Sequence, residues 1–263
     1  MDLGLTGRVA IVAGASKGLG NAIALGLARE GAHVALCARS NEKLIDTAKF
    51  IEENYRVAAL PIAADLRNIQ DIDRVVDSTL KKFDRVDILL NNAGGPPPKS
   101  FEESSSEDWE KAMELNFLAA MRLIQRVLPP MKVRHWGRII NILSSGLKQP
   151  IDGLIQSNAA RAAVAGAAKT LSREVAAHGI LVNNICPGRI QTERVNEVDA
   201  ATARRKGVSA EDVRRDSCRE IPVGRYGQAE EFANVVVFLA SECASYVTGS
   251  TLQVDGGYIR SLW

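Results

Sequence analysis

The sequence predicts an α/β fold in which one parallel sheet is covered by helices on both faces, as a single domain over residues 1–263. Short apolar runs alternate along the chain with helical segments of roughly 12 residues or more. Several runs are continuously apolar, which is typical of strands buried on both faces. A glycine-rich stretch, Gly14-Ala15-Ser16-Lys17-Gly18-Leu19-Gly20, lies between the first run and the first helix. This order indicates a doubly wound sheet with a ligand site at the carboxyl ends of its strands.

Seven strands and the helices between them follow from these patterns. The predicted strands span residues 8–13, 32–38, 57–63, 86–90, 138–143, 181–186 and 252–254. The predicted helices span residues 21–30, 68–82, 107–131, 157–178, 193–220 and 230–240, and one more begins near Asn41. We expect Pro129 and Pro130 to stop the long helix, because proline lacks an amide hydrogen and clashes with the preceding turn. The charged segment 193–220 is open to two interpretations, a substrate lid or a solvated pair of helices.

The composition argues against several classes of protein. The chain has 263 residues, of which 46% are hydrophobic and 24% charged, with a formal net charge of +2, as in an ordinary globular domain. It has neither a basic block of the kind that binds nucleic acid nor an acidic tail. Its N-terminus lacks a signal-peptide pattern, and no apolar run reaches the ~20 residues of a membrane-spanning helix. We therefore expect a cytoplasmic protein without nucleic-acid or membrane partners.

The spacing of the cysteines is also typical of a cytoplasmic protein. The chain has four, Cys37, Cys186, Cys218 and Cys243, and no two of them have C-x-x-C spacing. Cys37 and Cys186 lie in apolar, strand-like runs. This pattern predicts reduced thiols in the cytoplasm and no metal site.

The glycine-rich stretch predicts nucleotide binding. Gly14 allows a tight turn, Gly18 removes a side chain where a pyrophosphate approaches the backbone, and Gly20 lets helix and strand pack closely. Free amides and the helix dipole at the start of the following helix favour an anion. The spacing G-x-x-x-G-x-G differs from the common G-x-G-x-x-G, and a plain turn is the alternative. The strand before it and the helix after it favour nucleotide binding.

Further motifs along the chain resemble those of a known family. They are Asp65, Asn91-Asn92-Ala93-Gly94, Asn116, Ser144, Asn183, Pro187-Gly188 with Thr192, and Asp255-Gly256-Gly257. Together with the glycine stretch, their order and spacing resemble the short-chain dehydrogenase/reductase family, particularly its 3-oxoacyl-acyl-carrier-protein reductase-like branch, over nearly the whole chain. The resemblance implies a single Rossmann-type domain with a seven-stranded sheet. It also implies NAD(P)H binding and hydride transfer between C4 of the nicotinamide and a carbonyl or alcohol carbon.

The resemblance also implies which residues bind the cofactor. Asp65 would contact the adenine, although it could instead cap the following helix. Residues 91–94 would line the adenosine ribose, and Thr192, with Ile190 beside it, would hold the carboxamide. Ala13 departs from the family, which usually has threonine there, and this removes one structural hydrogen bond. The complete expected set is Gly14, Ser16, Lys17, Gly18, Leu19, Gly20, Arg39, Asp65, Leu66, Asn91, Ala93, Gly94, Arg161, Pro187, Gly188, Ile190 and Thr192.

Charge at the end of the second strand favours NADP(H) over NAD(H). An acidic residue there would hydrogen-bond the ribose 2′-hydroxyl of NAD and repel a 2′-phosphate. The strand instead ends in Cys37-Ala38-Arg39, and Arg39 offers a fork of donors suited to phosphate. Lys17 in the glycine loop adds a second positive charge. Either residue alone could be a solvated surface cation, but the two together favour NADP(H).

The reaction centre departs from the family pattern, which is Asn, Ser, Tyr and Lys. Asn116 and Ser144 match the first two positions, but Ser157 and Arg161 occupy the positions of the tyrosine and the lysine. A serine hydroxyl is a much weaker acid than a phenol, and an arginine is a poor proton relay. Ser157 could alternatively cap its helix. No other tyrosine lies nearby in sequence; the four are Tyr55, Tyr226, Tyr246 and Tyr258.

Two functional hypotheses follow. The first is an NADP(H)-dependent oxidoreductase for a carbonyl or alcohol substrate, such as a 3-oxoacyl compound or another ketone, with an atypical centre of Asn116, Ser144, Ser157 and Arg161. The second is an NADP(H)-binding sensor or partner subunit with impaired catalysis. The resemblance further implies a homotetramer that pairs the helices beginning at Glu107 and Ser157 across two-fold axes. A fully intramolecular core is the alternative.

Overall fold

The central sheet confirms the predicted fold class. The structure, a computed structural model, describes residues 2–262. Within these residues seven parallel strands lie in the order β3-β2-β1-β4-β5-β6-β7. They are β1 (Val9–Ala13), β2 (His33–Ala38), β3 (Ala59–Ala63), β4 (Ile88–Asn91), β5 (Gly137–Ile142), β6 (Ile180–Pro187) and β7 (Thr251–Val254). The order reverses next to β1, which places a switch point beside the glycine loop.

Helices cover both faces of the sheet. They are α1 (Gly18–Arg29), α2 (Asn41–Tyr55), α3 (Ile69–Phe83), α4 (Ser106–Met113), α5 (Ala119–Arg134), α6 (Ile155–Val175), α7 (Glu193–Lys206), α8 (Ala210–Glu220) and α9 (Ala229–Ala240), with a π-helical turn, Glu114–Leu118, between α4 and α5. Successive residues of β1 point to opposite faces. Ala10 and Val12 pack with α1, α2 and α9, whereas Ile11 and Ala13 pack with α3, α5 and α6. None of the helices between residues 2 and 262 has the length and apolar character needed to cross a membrane.

The prediction that Pro129 and Pro130 stop the long helix is wrong. α5 runs through both prolines and ends at Arg134, with His135 in the left-handed conformation. Its buried face continues past them, because Val127 and Met131 are both fully buried. The carbonyls that lose a helical partner belong to residues 125 and 126, which are exposed and can be solvated by water.

The charged segment 193–220 forms two helices, α7 and α8. Gly207, with φ +68°, ends α7, and the side chains of Ser209 and Asp212 form a capping box that starts α8. Val195, Ile221 and Tyr226 bury their side chains together in a small apolar cluster beneath these helices. These contacts hold α7 and α8 against the rest of the domain.

A ladder of buried amide side chains crosses four strands at the carboxyl half of the sheet. Asn91 donates to Asn141 at 2.9 Å, Asn141 donates to Asn184 at 2.9 Å, and Asn184 donates to Thr251 at 3.2 Å. These residues are also register partners in β4, β5, β6 and β7. All three bonds point the same way, so each polarises the next. The ladder fixes strand register immediately below the site.

We expect Asn141→Leu to lower the free energy of unfolding by about 2–5 kcal/mol. The nearly isosteric side chain fills the space but leaves the Asn91 amide and the Asn184 oxygen buried without partners. Urea unfolding at fixed protein concentration measures the change. Asn54→Ala removes an exposed amide bonded to the backbone of its own helix and serves as the control, with a change below about 0.5 kcal/mol. Equal effects of the two substitutions would contradict a role of the ladder in stability.

Candidate active site

The expected site residues converge at the carboxyl edge of the sheet. The glycine loop follows β1, Asn91 ends β4, Ser144 lies two residues after β5, and Pro187 ends β6. Parallel strands bring these ends to the same edge. Four of the predicted motifs therefore border one cleft.

Close packing against β4 shapes the glycine loop. Gly14 has φ +66°, and a Cβ there would lie 2.5 Å from the carbonyl oxygen of Asn92. A Cβ at Gly20 would collide with the carbonyl of Gly14 and with the Asn92 side chain. The Asn92 amide also donates to the carbonyl of Ala13 at 3.3 Å. Asn92 was expected only as part of the segment 91–94 beside the adenosine ribose, and its packing on the glycine loop was not predicted. The double asparagine at the end of the fourth strand was the available signal.

The start of α1 presents backbone amides to the cleft. Lys17 precedes the helix in extended conformation and provides no side-chain cap. Ser16 and Leu19 are half-buried beside it, and Gly18, at φ +58°, has no side chain of its own to cover these amides. Amides at a helix N-terminus together with the helix dipole bind anions. The loop thus fits the pyrophosphate of a dinucleotide.

Arg39 lies between the glycine loop and the end of β3. The amide of Ala15 donates to the carbonyl of Cys37 at 3.1 Å, and the amide of Ala64 donates to the carbonyl of Ala38 at 2.9 Å. These bonds tie the glycine loop and the end of β3 to the end of β2, where Arg39 is exposed. Its guanidinium has no hydrogen-bond or ion-pair partner within residues 2–262. Lys17, by contrast, pairs with Glu193 in the first turn of α7.

Asp65 follows β3 and is held by Arg67. The guanidinium of Arg67 donates to both carboxylate oxygens of Asp65, and this bond is the main cause that lowers the pKa of that carboxyl. The alternative that Asp65 caps α3 is wrong. Asn68 is the capping residue, and its side chain accepts from the amide of Gln70 at 2.9 Å. Leu66, next to Asp65, is buried.

Two side chains hold the loop that follows β4. The Asn116 amide donates to the carbonyl of Gly94 at 2.6 Å, and an Nη atom of Arg161 donates to the carbonyl of Ala93 at 3.5 Å. Asn116 lies within the π-helical turn 114–118, a local widening that is frequent at functional sites. The turn directs this amide at the loop and fixes its backbone.

A small cavity of about 20 Å³ lies between this loop and the helices. Asn91, Asn116 and Arg161 contribute polar atoms to its lining, and the volume is enough for one water molecule. The Oδ1 atoms of Asn91 and Asn116 are buried and accept no hydrogen bond from residues 2–262. The floor of the cleft is therefore receptive to a hydrogen-bond donor.

Ser157 and Arg161 bond to each other. Nε of Arg161 donates to the Ser157 hydroxyl at 3.2 Å, and Nη1 donates to the carbonyl of Ile142 at 2.7 Å. Burial lowers the pKa of Arg161 to about 10, so the guanidinium stays charged at neutral pH. The alternative that Ser157 caps α6 is wrong, because the helix starts at Ile155, and Leu154 lies at the N-cap position without a side-chain cap bond. Ser157 lies in the first turn and is buried.

Ser144 starts the turn that leads from β5 toward α6. Its hydroxyl accepts from the amide of Gly146 at 3.1 Å. The backbone of Gly146 is packed against the Asn158 side chain, and a Cβ there would collide with Asn158 Oδ1. This contact brings the Ser144 turn beside the residues that precede Arg161 in α6.

The segment after β6 closes the other side of the cleft. Gly188 donates to the carbonyl of Val254 at 3.0 Å and packs tightly on Asp255. Ile190 is buried, and the Thr192 hydroxyl caps α7 by accepting from the amide of Val195 at 3.4 Å. The methyl group of Thr192 lies 3.5 Å from where a Cβ on Gly18 would be. The start of α7 thus lies directly against the glycine loop.

Known reductases resemble this chain in both sequence and structure. The family model described as Enoyl-(Acyl carrier protein) reductase matches residues 14–259. The 3-oxoacyl-acyl-carrier-protein reductase of Aquifex aeolicus is 34% identical over 257 residues, which are 98% of this chain and 99% of that protein. L-sorbose reductase from Gluconobacter frateurii, complexed with NADPH and L-sorbose, is 37% identical with a TM-score of 0.94 over the whole of both chains. Actinorhodin polyketide ketoreductase with NADPH is 35% identical with a TM-score of 0.92, covering 96% of this chain and 97% of that one.

The chain belongs to the short-chain dehydrogenase/reductase family. The residues matched by the family model include the glycine loop, Ser144, Arg161 and the segment after β6. Ser157 and Arg161, which the resemblance places at the tyrosine and lysine positions, lie within the matched residues.

Tyr226 is one of the four tyrosines of this short-chain dehydrogenase/reductase, and its hydroxyl is tied to α7. It is buried, and its hydroxyl donates to Asp199 at 2.8 Å. Asp199 also accepts from Arg189 at 2.7 Å. Burial is the main cause that raises the pKa of Tyr226 to about 12. This hydroxyl therefore anchors α7 and is not available as a proton donor in the cleft.

The cysteines and the acidic residues form no metal centre among residues 2–262. No group of three or more His, Cys, Asp or Glu side chains that could hold a metal ion is found there. All four cysteines are free thiols. Burial raises the pKa of Cys37 to about 12 and that of Cys186 to about 11, which makes both thiols poor nucleophiles.

Proposed function

We propose that this chain is an NADP(H)-dependent oxidoreductase that moves a hydride between the nicotinamide and a carbonyl or alcohol group of a small molecule. The observation that carries the proposal is the glycine cradle, in which Gly14 and Gly20 pack on Asn92 and leave the amides at the start of α1 open. Two relatives of the same fold are described in complex with NADPH. NADP(H) supplies the hydride when bound.

Each part of the cleft has a role in holding the cofactor. The amides at Gly18 and Leu19 bind the pyrophosphate through the helix dipole. Arg39, with its unpartnered guanidinium, binds the 2′-phosphate together with Lys17. The remaining expected contacts, from Asp65 and Leu66 on the adenine side to Pro187, Gly188, Ile190 and Thr192 at the nicotinamide, complete the proposed site.

The reaction centre is suited to weak catalysis. Ser144 can polarise a substrate carbonyl by donating its hydroxyl proton in a hydrogen bond. Asn116 holds the loop that faces it, and Arg161 supplies a buried positive charge. The loss of a phenolic proton donor is expected to cost about 10²–10⁴-fold in rate. The enzyme is therefore expected to be slower than relatives with a tyrosine at this position.

A second function is favoured by one observation. The donors of Arg161 point at the Ser157 hydroxyl and at the carbonyls of Ala93 and Ile142, so they stabilise the protein itself. This arrangement suits an NADP(H)-binding sensor or partner subunit that has lost hydride transfer. Cofactor binding is common to both functions, and turnover separates them.

The assembly we propose is a homotetramer in the cytoplasm, with α7 and α8 as a lid beside the substrate. α6 carries a stripe of small residues that is exposed within one chain, formed by Ala159, Ala162, Gly166 and Thr170. Small side chains allow a second helix to approach closely. The stripe supports pairing between copies of the chain through α6 and the α4–α5 region.

We expect NADPH to bind more tightly than NADH, because Arg39 and Lys17 attract a 2′-phosphate and no acid repels it. Fluorescence titration of each cofactor measures this difference. Arg39→Asp should reverse the preference, whereas Arg56→Asp, at the opposite edge of the sheet, should leave it unchanged. Equal binding of both cofactors by the wild-type protein would contradict the assignment.

The double substitution Ser157→Tyr with Arg161→Lys restores the family pair and should raise ketone reduction by about tenfold or more. The phenol regains a position next to Ser144, and the lysine lowers its pKa. NADPH oxidation, followed by absorbance with a panel of ketones and 3-oxoacyl thioesters, measures the rate. Ser157→Phe with Arg161→Lys is the matched control without the hydroxyl. If wild type and the restored pair both stay inactive while NADPH binds, the sensor or partner function replaces the oxidoreductase.

Light scattering at micromolar concentration should give about four times the chain mass of 28.4 kDa. Ala162→Arg places a long charged side chain on the α6 stripe and should shift the population to smaller species. A wild-type protein that is monomeric under these conditions has an intramolecular core, and the pairing through α6 is then wrong.

A further inference from the structure

The first turn of α7 carries a charged contact to the glycine loop. The carboxylate of Glu193 pairs with the ammonium group of Lys17, 176 residues away in the sequence. The next residue, Arg194, extends to the opposite side of the cleft, where it donates to the carbonyl of Pro96 in the loop after β4 at 2.9 Å. The helix start is thus fixed at two points, and Glu193 lies beside the proposed phosphate position.

The surroundings of Glu193 favour its ionised form. Its bond with Lys17 is the main cause that lowers the pKa of its carboxyl, and Lys43 of α2 acts in the same direction. The N-terminus of α7 also favours a negative charge in its first turn. Both side chains of the pair are more than half exposed, so the contact is screened and exchangeable.

Lys17 differs from its two basic neighbours in this respect. Arg39 and Lys43 are exposed and form no hydrogen bond or close ion pair with a carboxylate among residues 2–262, although each acts on one at longer range, whereas Lys17 is in direct contact with Glu193. A phosphate that uses Lys17 must draw it away from Glu193 or accept a carboxylate nearby. Either outcome reduces the gain in affinity that a second cation would otherwise give.

We propose that Glu193 is a determinant of cofactor discrimination that competes with the 2′-phosphate of NADP(H) for Lys17. The inference rests on the proposed NADP(H) site and adds to it a residue outside the family motifs. Glu193 weakens the binding of ligands with a 2′-phosphate more than the binding of ligands without it. It thereby sets how strongly the site prefers NADP(H) over NAD(H).

The test compares ligands with and without the 2′-phosphate in the full-length protein. Glu193→Gln removes the charge and keeps the shape. It should lower the Kd of NADPH about three- to tenfold, since an exposed pair is lost and a nearby repulsion disappears. The Kd of NADH should stay the same within about 1.5-fold. Calorimetric titration of adenosine 2′,5′-bisphosphate against ADP should show the same difference without the nicotinamide half.

Two further variants isolate the contact. Glu211→Gln removes an equivalent first-turn glutamate from α8 and controls for net charge, so it should change neither Kd. In a Lys17→Met background, Glu193→Gln should lose most of its effect on NADPH, because the group for which it competes is absent. This double-mutant cycle measures the coupling between the two side chains directly.

The possible results distinguish a failure of this inference from a failure of the proposed function. If Glu193→Gln leaves the Kd of NADPH unchanged, or shifts NADPH and NADH equally, Glu193 does not discriminate by competition and the inference is wrong. An equal shift in the two Kd values would mean that the Lys17–Glu193 pair restricts the entry of both cofactors into the cleft. If neither cofactor binds the wild-type protein, the proposed function itself fails.

Discussion

The structure depends on the close approach of the glycine loop to the end of β4. Gly14 and Gly20 pack on Asn92, where any Cβ would meet backbone or amide atoms. This contact lets the chain turn directly from β1 into α1, and so sets the open amides of α1 at the carboxyl edge of the sheet. Everything else in the cleft is placed relative to this edge, from Arg39 at one end to Thr192, which lies against Gly18, at the other.

The strands and helices that alternate along the chain could be predicted from the sequence. Apolar runs alternating with helices gave all seven strands, and the flanked glycine motif located the nucleotide side of the cleft. Family spacing then placed Asn116, Ser144, Ser157 and Arg161, because each follows a strand or lies on a helix whose position the fold dictates. The structure brings these four residues to the same edge of the sheet, as their proposed roles require.

The remaining features depend on contacts that one sequence does not reveal. The asparagine ladder joins side chains 50 and 43 residues apart, so it follows only from strand register. Asp65 and Ser157 could each have capped a helix, but the Asn68 side chain caps α3, and α6 begins after Leu154, which makes no side-chain cap bond. A sequence pattern locates helix boundaries less well than it locates the helices themselves. The prolines of α5 failed as a stop because buried packing at Met131 outweighs the lost backbone bonds.

Ser157 and Arg161 act as one structural unit. They are four residues apart on α6 and face each other, and the short serine accepts a hydrogen bond from Nε of the longer arginine. A buried guanidinium needs acceptors for its donors, and Ser157, Ile142 and Ala93 supply three. A tyrosine at 157 would direct its hydroxyl beyond this reach, whereas a lysine at 161 has no planar fork to bond both strand ends. The two side chains suit each other, and together they form a cationic tie between the loop after β4 and the end of β5.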